Sequence, residues 1–430
     1  MRTILHIRKA ATLRPTGPLG AYVGACRHTK NHYSTRNMDP VEGAAVAAAR
    51  EAMDLAYGPW TGPGWAPAPF SPAHSHKGRY LWTDAFGVCN FCSLYLETGE
   101  ERFLSQAEAL TAAVHATLGF DRAGAARLGG ATPEHPTRGG LRIGKPEAGG
   151  ADGDGQYLHY LTKWCFALLQ LSAAADEPRY LVWALELAEG AFGRFLCLPG
   201  PDGGAARFAW KMSADLSRPL VSSSGNLDAL DALVTIKLLR AAGARALGGG
   251  GGDDGDAPAA AAGLRRVEAA AAALVAPWWW GFGPDDPLDL GEALWLAHWF
   301  SSAGPPRAAA PAPAPAGGGE PQAADAMDDA ELARACDHVA ARALAALEAL
   351  WGGGHFSAPL GRRLGFRELG ATLGVQAIIC RAPELLSAKA WAGRVARLHA
   401  DWRGALTQRD ADITPAMWAA SVLPRVWIRG

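Results

Sequence analysis

The sequence predicts an all-α fold in which six helical hairpins close into one toroid and the long loops gather on one face. Three observations carry that expectation. The first is the stretch from Gly150 to Phe195, which reads as two helices broken at Asp176-Glu177-Pro178. Its leading helix is apolar on nearly every side, through Leu158, Tyr160, Leu161, Trp164, Cys165, Leu168 and Leu169. Its trailing helix has one apolar stripe, Leu181, Ala184, Leu187, Ala188 and Ala191, with Glu186 and Glu189 outside. One helix is therefore inner and the other outer. The second observation is a repeat: Gly99 to Leu110 aligns without a gap on Asp176 to Leu187, pairing Glu100 with Glu177, Arg102 with Arg179, Phe103 with Tyr180, Leu104 with Leu181, Ala107 with Ala184 and Leu110 with Leu187. Such a unit needs neighbours to bury its inner face. The third is the alternation of short breaks and long loops along the remaining chain, which places all long loops on one face.

Taken in order, the first helix starts at Asp39-Pro40-Val41-Glu42, with an N-cap Asp, a Pro at the first helical position and a capping-box Glu, and reaches Tyr57. A loop rich in Pro, Gly and Trp leads to hairpin one, Thr83 to Leu96 and Glu100 to Leu118, broken at Thr98-Gly99. A Gly-rich connection, Gly119 to Gly155, precedes hairpin two. The third inner helix starts from Ser222-Ser223-Ser224-Gly225-Asn226 and runs to Arg240; its mate is Ala261 to Val275. Leu288 to Phe300 pairs with Asp328 to Trp351, and Phe366 to Cys380 with Glu384 to Trp402. A sixth inner helix begins near Asp412-Ile413-Thr414-Pro415, and the helix at Pro40 supplies its mate. The chain from 39 to 430 is thus read as one domain, with low-complexity insertions at about 248–260 and 304–326 that are too poor in apolar side chains to pack a core.

Composition narrows the function. Of the 430 residues 19% are charged and 49% apolar, and the net charge of −1 argues against nucleic acid as a partner. No apolar run is long enough for a membrane span. Seven Cys without a framework fit a reducing compartment. Residues 1–38 carry Arg2, Arg8, Lys9, Arg14, Arg27, Lys30 and Arg36 and no acidic residue, the composition of a transit segment or of a basic tail. The expectation is a soluble intracellular protein, cytoplasmic or organellar.

In the toroid the inner helices start around one funnel, where unpaired N–H groups and loop side chains converge. The residues at those starts are Trp82, Thr83 and Asp84; Asp152, Asp154, Gln156, Tyr157 and His159; Ser223, Asn226 and Asp228; Asp289 and Glu292; Arg367 and Glu368; Asp410 and Asp412. Carboxylates and amides around aromatic rings suit a polyhydroxylated ligand, although Asp, Ser and Asn at a helix start also serve as plain caps. Asp84 and Asp154 are the first catalytic candidates, because the bulky aromatics beside them, Trp82 and Phe86, Tyr157 and Tyr160, would desolvate a carboxyl and raise its pKa. Glu368 is the third. Trp82, Gln156, Tyr157, Trp210, Asn226 and Arg367 are candidates for substrate binding, with loop indoles as sugar platforms. Arg142 and Lys145 would meet an anionic group on the substrate. His159 would serve as a base or sit satisfied in the core. Cys89 and Cys92 lie within a helix without a second Cys pair, so two packed thiols are expected, not a metal site. No phosphate-binding Gly loop, dinucleotide fingerprint or nucleophile elbow occurs, and neither metal nor cofactor is implied.

The segments Gly78 to Leu104, Asp154 to Leu171 and Ser222 to Leu239 resemble the six-hairpin glycosidase-like superfamily of (α/α)6 toroids, which includes glycoside hydrolases and the N-acylglucosamine 2-epimerase type. The resemblance implies a carbohydrate-active enzyme that hydrolyses a glycosidic bond of a small saccharide or glycoside, with two carboxyls as acid and base or nucleophile. Two alternatives stand beside it: a sugar epimerase using His159 and His298, and a non-catalytic toroidal binding or scaffold protein.

Overall fold

The computed structural model describes residues 40–150, 152–198, 206–246, 259–301, 327–381 and 388–428. They are mostly helical: α1 (Pro40–Tyr57), α2 (Leu81–Thr98), α3 (Glu101–Leu118), α4 (Leu158–Ala175), α5 (Pro178–Leu187), α6 (Asp228–Ala246), α7 (Ala259–Trp278), α8 (Pro287–Ala297), α9 (Asp329–Gly352), α10 (Gly365–Arg381), α11 (Ala388–Arg403) and α12 (Thr414–Val422). Past Leu187, α5 continues through one π-helical turn, Ala188–Phe192, and a last turn, Gly193–Phe195. Two antiparallel ribbons of two residues per strand, which the sequence reading did not anticipate, stiffen the loops: β1 (Gln156–Tyr157) pairs with β4 (Lys211–Met212), and β2 (Leu196–Cys197) with β3 (Arg207–Phe208).

The helix boundaries have local causes. At the α2–α3 break Gly99 takes the left-handed conformation (φ 69°), and its N–H caps the carbonyl of Tyr95. At the equivalent α4–α5 break Asp176 does the same (φ 53°) for Ser172, and Pro178 opens the next helix. The aligned Phe103 and Tyr180, Ala107 and Ala184, and Leu110 and Leu187 are all buried, so the repeat read in the sequence is a repeat of packing. The helix at Pro40 is present, whereas Asp39 and, of the insertions expected at about 248–260 and 304–326, residues 248–258 and 304–326 fall outside the described residues; residues 259 and 260 open α7 instead. The helix expected to start from Ser222 to Asn226 begins later, at Asp228, where that carboxyl accepts from the Gly225 N–H at 2.8 Å.

The even-numbered helices touch in cyclic order: α2 packs on α4, α4 on α6, α6 on α8, α8 on α10, α10 on α12, and α12 on α2. Among the odd-numbered helices each packs most extensively against one, α2 with α3, α4 with α5, α6 with α7, α8 with α9, α10 with α11, and α12 with α1. In α2 every residue from Leu81 to Leu94 is buried, whereas α3 buries a stripe. Each fully buried Leu or Phe contributes about 1.5–3 kcal/mol. Helices α4 and α8 run in the same direction and nearly in register, since Lys163 and Phe166, the sixth and ninth residues of α4, meet Glu292 and Trp295, the sixth and ninth of α8, the rings at 5.0 Å between centroids. The approach of α8 to α10 requires glycine: a Cβ on Gly291 would stand 2.2 Å from the Gly370 carbonyl oxygen, and one on Gly374 2.0 Å from that of Gly291. After α12 the chain turns under the even helices, where Trp427 stacks on Phe86 at 4.4 Å and accepts through its carbonyl from the Trp295 indole at 2.8 Å. No helix among the described residues is long and apolar enough to cross a membrane.

Candidate functional site

Three of the first-named carboxyls are committed to guanidinium groups. Asp84 is fully buried, accepts from the Tyr80 N–H at 3.2 Å and pairs with Arg79 at 3.4 Å. Burial pushes its pKa up to about 6 against the pull of Arg79. Asp154 is held by Arg142 and by Arg122 (2.7 Å), and accepts from the backbone N–H groups of Gly144 (3.0 Å) and Gly155 (3.1 Å). Glu368 receives both arms of Arg363, at 2.8 and 2.6 Å, and the Trp402 indole N–H at 2.8 Å. These are three separate clamps, each tying a helix start to its loop or neighbour. None of the three lines the central cavity described below.

Three of the expected binding residues are likewise taken up within the protein. Arg142 has no exposed surface and also donates to the carbonyls of Phe120 (2.6 Å) and Thr117 (2.9 Å), so it fastens the 119–155 loop and is not available to an anionic substrate. Lys145 pairs with exposed Asp152 at 2.8 Å. Gln156 is a buried strut, donating to Gly139 (2.9 Å) and Ala214 (2.7 Å) while accepting from Leu141. Of the loop indoles, Trp65 and Trp279 are buried, and Trp279 stacks on Trp280 against His338 of α9, so those rings are packing. Cys89 and Cys92 are buried free thiols whose pKa burial drives upward.

What the structure does bring together is a polar mouth at the starts of the even helices. Tyr80 and Tyr160 share a hydrogen bond of 2.5 Å between α2 and α4. Asn226 donates to Asp289 at 2.6 Å, linking the start of α6 to α8, and Arg367 at the start of α10 pairs with Asp286 before α8. Trp82, His159, Tyr160, Tyr157 and Trp210 form a run of ring contacts, from Trp82 to His159 at 5.5 Å to Tyr157 and Trp210 at 5.0 Å.

Beneath this mouth lies a cluster that the sequence reading did not assemble. The buried ammonium of Lys163 (α4) is 2.9 Å from both carboxylate oxygens of Asp231 (α6) and 2.6 Å from Oε1 of Glu292 (α8). The Glu292 contact is one of charge, because that oxygen lacks an aligned hydrogen bond. Thr162 donates to Asp231 at 2.5 Å, and the ammonium sits 4.8 Å over the Trp295 ring. One cation is thus shared between two carboxylates, which reconciles the opposite tendencies of the partners. Burial lowers Lys163, but Asp231 and Glu292 outweigh it and hold it above the ordinary value. Burial raises Asp231 to about 6, beyond what its share of Lys163 restores. Asp228, one turn earlier on α6, is pushed by burial, and further by Asp231 and Glu292, up to about 7. His159 is held neutral, its pKa lowered to about 4 by burial and by Lys163.

Lys163 and Glu292 border a partly open cavity of about 310 Å³, counting its mouth. Trp82 and Phe86 of α2, Leu288 and Trp295 of α8, Gly370 and Leu373 of α10, Met417 of α12 and Trp427 complete its wall. No family model, curated protein or solved structure matches the chain. The reading therefore rests on the residues themselves. Among the described residues no group of three or more His, Cys, Asp or Glu is placed to hold a metal ion. His298, the other member of the expected imidazole pair, is fully buried at the C-terminal end of α8 with Nδ1 against the Trp295 carbonyl. With α4 and α8 in register, it lies about 15 Å along the axis from His159 at 1.5 Å per residue. The two rings do not face one another.

Lys163 was the missed signal. A lysine amid Leu161, Trp164, Cys165 and Leu168, on a helix apolar all round, has to be buried, and a buried ammonium demands carboxylates from its neighbours.

Proposed function

We propose that the even and odd helices are the inner and outer layers of an (α/α)6 toroid, and that the chain is a carbohydrate-active enzyme that hydrolyses a glycosidic bond of a small saccharide or glycoside at the inner-helix N-termini. The cyclic order of helix contacts and the shared direction of α4 and α8 support the architecture. One observation carries the activity. Glu292, at the wall of an open cavity, contacts the Lys163 ammonium at 2.6 Å, and in the same cluster burial pushes the Asp228 carboxyl up to about 7.

Glycoside hydrolysis needs a protonated acid and an ionised base or nucleophile. Glu292, at the cavity wall, takes the second role, with Lys163 and Asp231 fixing it; the first goes to Asp228, which like Asp84, Asp154 and Glu368 lies behind the cavity lining but, unlike them, is not held by a guanidinium group. Asp84, Asp154 and Glu368 are reassigned to architecture, because guanidinium groups already occupy their oxygens. Trp82, Tyr157, His159, Trp210, Asn226 and Arg367 form the mouth through which the sugar is bound. The separation of His159 and His298 removes the support for an epimerase built on that pair.

The test is a screen of glycosides and free sugars with the wild type, Asp228→Asn and Glu292→Gln. Turnover that falls at least 100-fold in both variants, the scale of acid–base catalysis, measured where circular dichroism shows each variant fully folded, is the expected result. A wild type inert on the whole screen, or full activity in both variants, overturns the proposal.

A further inference from the structure

Above the buried cluster, the starts of the same three helices that meet at Lys163 present a second set of polar groups. His159 stands four residues before Lys163 on α4, and Asp289 three before Glu292 on α8. At those spacings each lies on the face that carries the contact below it, about 6 and about 4.5 Å nearer the mouth at 1.5 Å per residue. Asn226, just before α6, joins them by donating to Oδ2 of Asp289 at 2.6 Å. The set stands at the cavity's rim: the His159 ring is 5.5 Å from that of Trp82, and Asp289 follows Leu288 in the chain, Trp82 and Leu288 both being wall residues. The cavity itself has room for about one water, so a ligand is held above it.

The chemistry of the set suits hydroxyls. The Asp289 carboxylate only accepts, and its second oxygen remains beyond the Asn226 contact. Asn226 is exposed and keeps a further N–H and its carbonyl oxygen. His159 is neutral and half-buried, and its ring makes no hydrogen bond with the described residues, so it offers one N–H and one bare nitrogen. A hydroxyl both donates and accepts, and two on neighbouring ring carbons can be met by an acceptor and a donor at once. An anionic group fares worse. Asp285 and Asp286 lie just before Asp289 in the chain, and the cations nearby are committed, Arg367 to Asp286 and Lys163 to Asp231 and Glu292. Like charges brought together there repel.

We propose that His159, Asn226 and Asp289 form a subsite for two adjacent hydroxyls of an uncharged pyranose, and that Asp289 is its specificity-determining residue. The assignment rests on the glycoside reading, which puts the reacting bond over Glu292, and adds the class of sugar.

Binding of free sugars tests the subsite without any turnover. Saturation-transfer NMR of the full chain with glucose, galactose and mannose is expected to show saturable binding of at least one, with binding of the corresponding uronate at least tenfold weaker. Asp289→Ala is expected to weaken the sugar at least tenfold. Asp289→Asn keeps the shape and removes the charge, so the gap between sugar and uronate is expected to narrow at least threefold; loss of a merely structural contact would weaken both ligands alike. No binding of any of the three sugars, uronate binding as tight as that of its neutral parent, or wild-type affinity and selectivity in both variants overturns the proposal. Binding with this selectivity by a chain inert on every glycoside would remove the hydrolase reading and leave the subsite standing; turnover whose KM is unmoved by Asp289→Ala would do the reverse.

Discussion

Two kinds of buried charge occur in this molecule, and they differ in the cation. Around the loops, Arg79, Arg142 and Arg363 clamp Asp84, Asp154 and Glu368, and the guanidinium groups of Arg142 and Arg363 use several donors at once. Between α4, α6 and α8, a single ammonium serves Asp231 and Glu292, with a third carboxyl, Asp228, close enough to feel both. A planar fork with fixed donors suits a permanent brace, whereas a point charge on a flexible stem leaves its partners unequal. Burial and charge alone therefore do not mark a site of chemistry. The distinguishing feature is the cavity at the cluster's edge, since burial lifts the braced Asp84 to about 6 just as it lifts Asp231.

The largest expected effect breaks a brace. Arg363→Ala leaves Glu368 buried without its cation and is expected to destabilise the fold by about 3–5 kcal/mol, read from the midpoint of urea unfolding. Lys163→Met strands Asp231 in the same way, but Asp231 has an outlet in protonation because its pKa already stands at about 6. The deficit of that variant should shrink from pH 8 to pH 5, and an equal deficit at both would erase the contrast between the two regions. Trp427→Ala removes the floor shared by Phe86, Phe166 and Trp295. It is expected to cost about 3–5 kcal/mol as a cavity mutation, in calorimetric unfolding.

A smaller effect sharpens the comparison through pH. The folded-state pKa of Asp228, about 7, lies above its unfolded value, so between about pH 4 and 7 the folded chain binds more protons there than the unfolded chain. Its contribution to stability is full below about pH 4 and is lost as pH rises through 7, with at most about 4 kcal/mol involved. Asp228→Asn should therefore flatten the decline in unfolding free energy across that window; a decline identical to wild type would place the proton elsewhere. At the bottom of the scale, Lys145→Ala breaks only a pair with exposed Asp152 and is expected to shift stability by less than about 1 kcal/mol.

The helices and their breaks were legible because local signals agreed with one another. Gly99 and Asp176-Glu177-Pro178 announced the hairpin breaks through backbone chemistry, and the all-round apolar surface of the 158–171 stretch announced a helix buried on nearly every side. The start of α6 was less legible, since Ser222 to Asn226 reads as a cap but the cap is made backwards, from Gly225 N–H to Asp228. The site was legible as a place and not as a set of partners. Trp82, His159, Asn226 and Arg367 do gather at the helix starts, yet neighbouring aromatics could not reveal that Asp84 and Asp154 were already claimed by Arg79, Arg142 and Arg122. Those partners approach from loops whose paths no periodicity encodes. Lys163 is the counterexample: its burial was implied by its helix, and its partners by the cost of burying it.

The pH dependence of kcat/KM on whichever glycoside is turned over tests the central claim most directly, because it reports the acid of the free enzyme. A descending limb near pH 7 that disappears in Asp228→Asn is the predicted result. A profile flat or rising through pH 7, or a limb that persists in Asp228→Asn, would contradict the assignment of the proton to Asp228 and of the chemistry to the lysine-centred cluster.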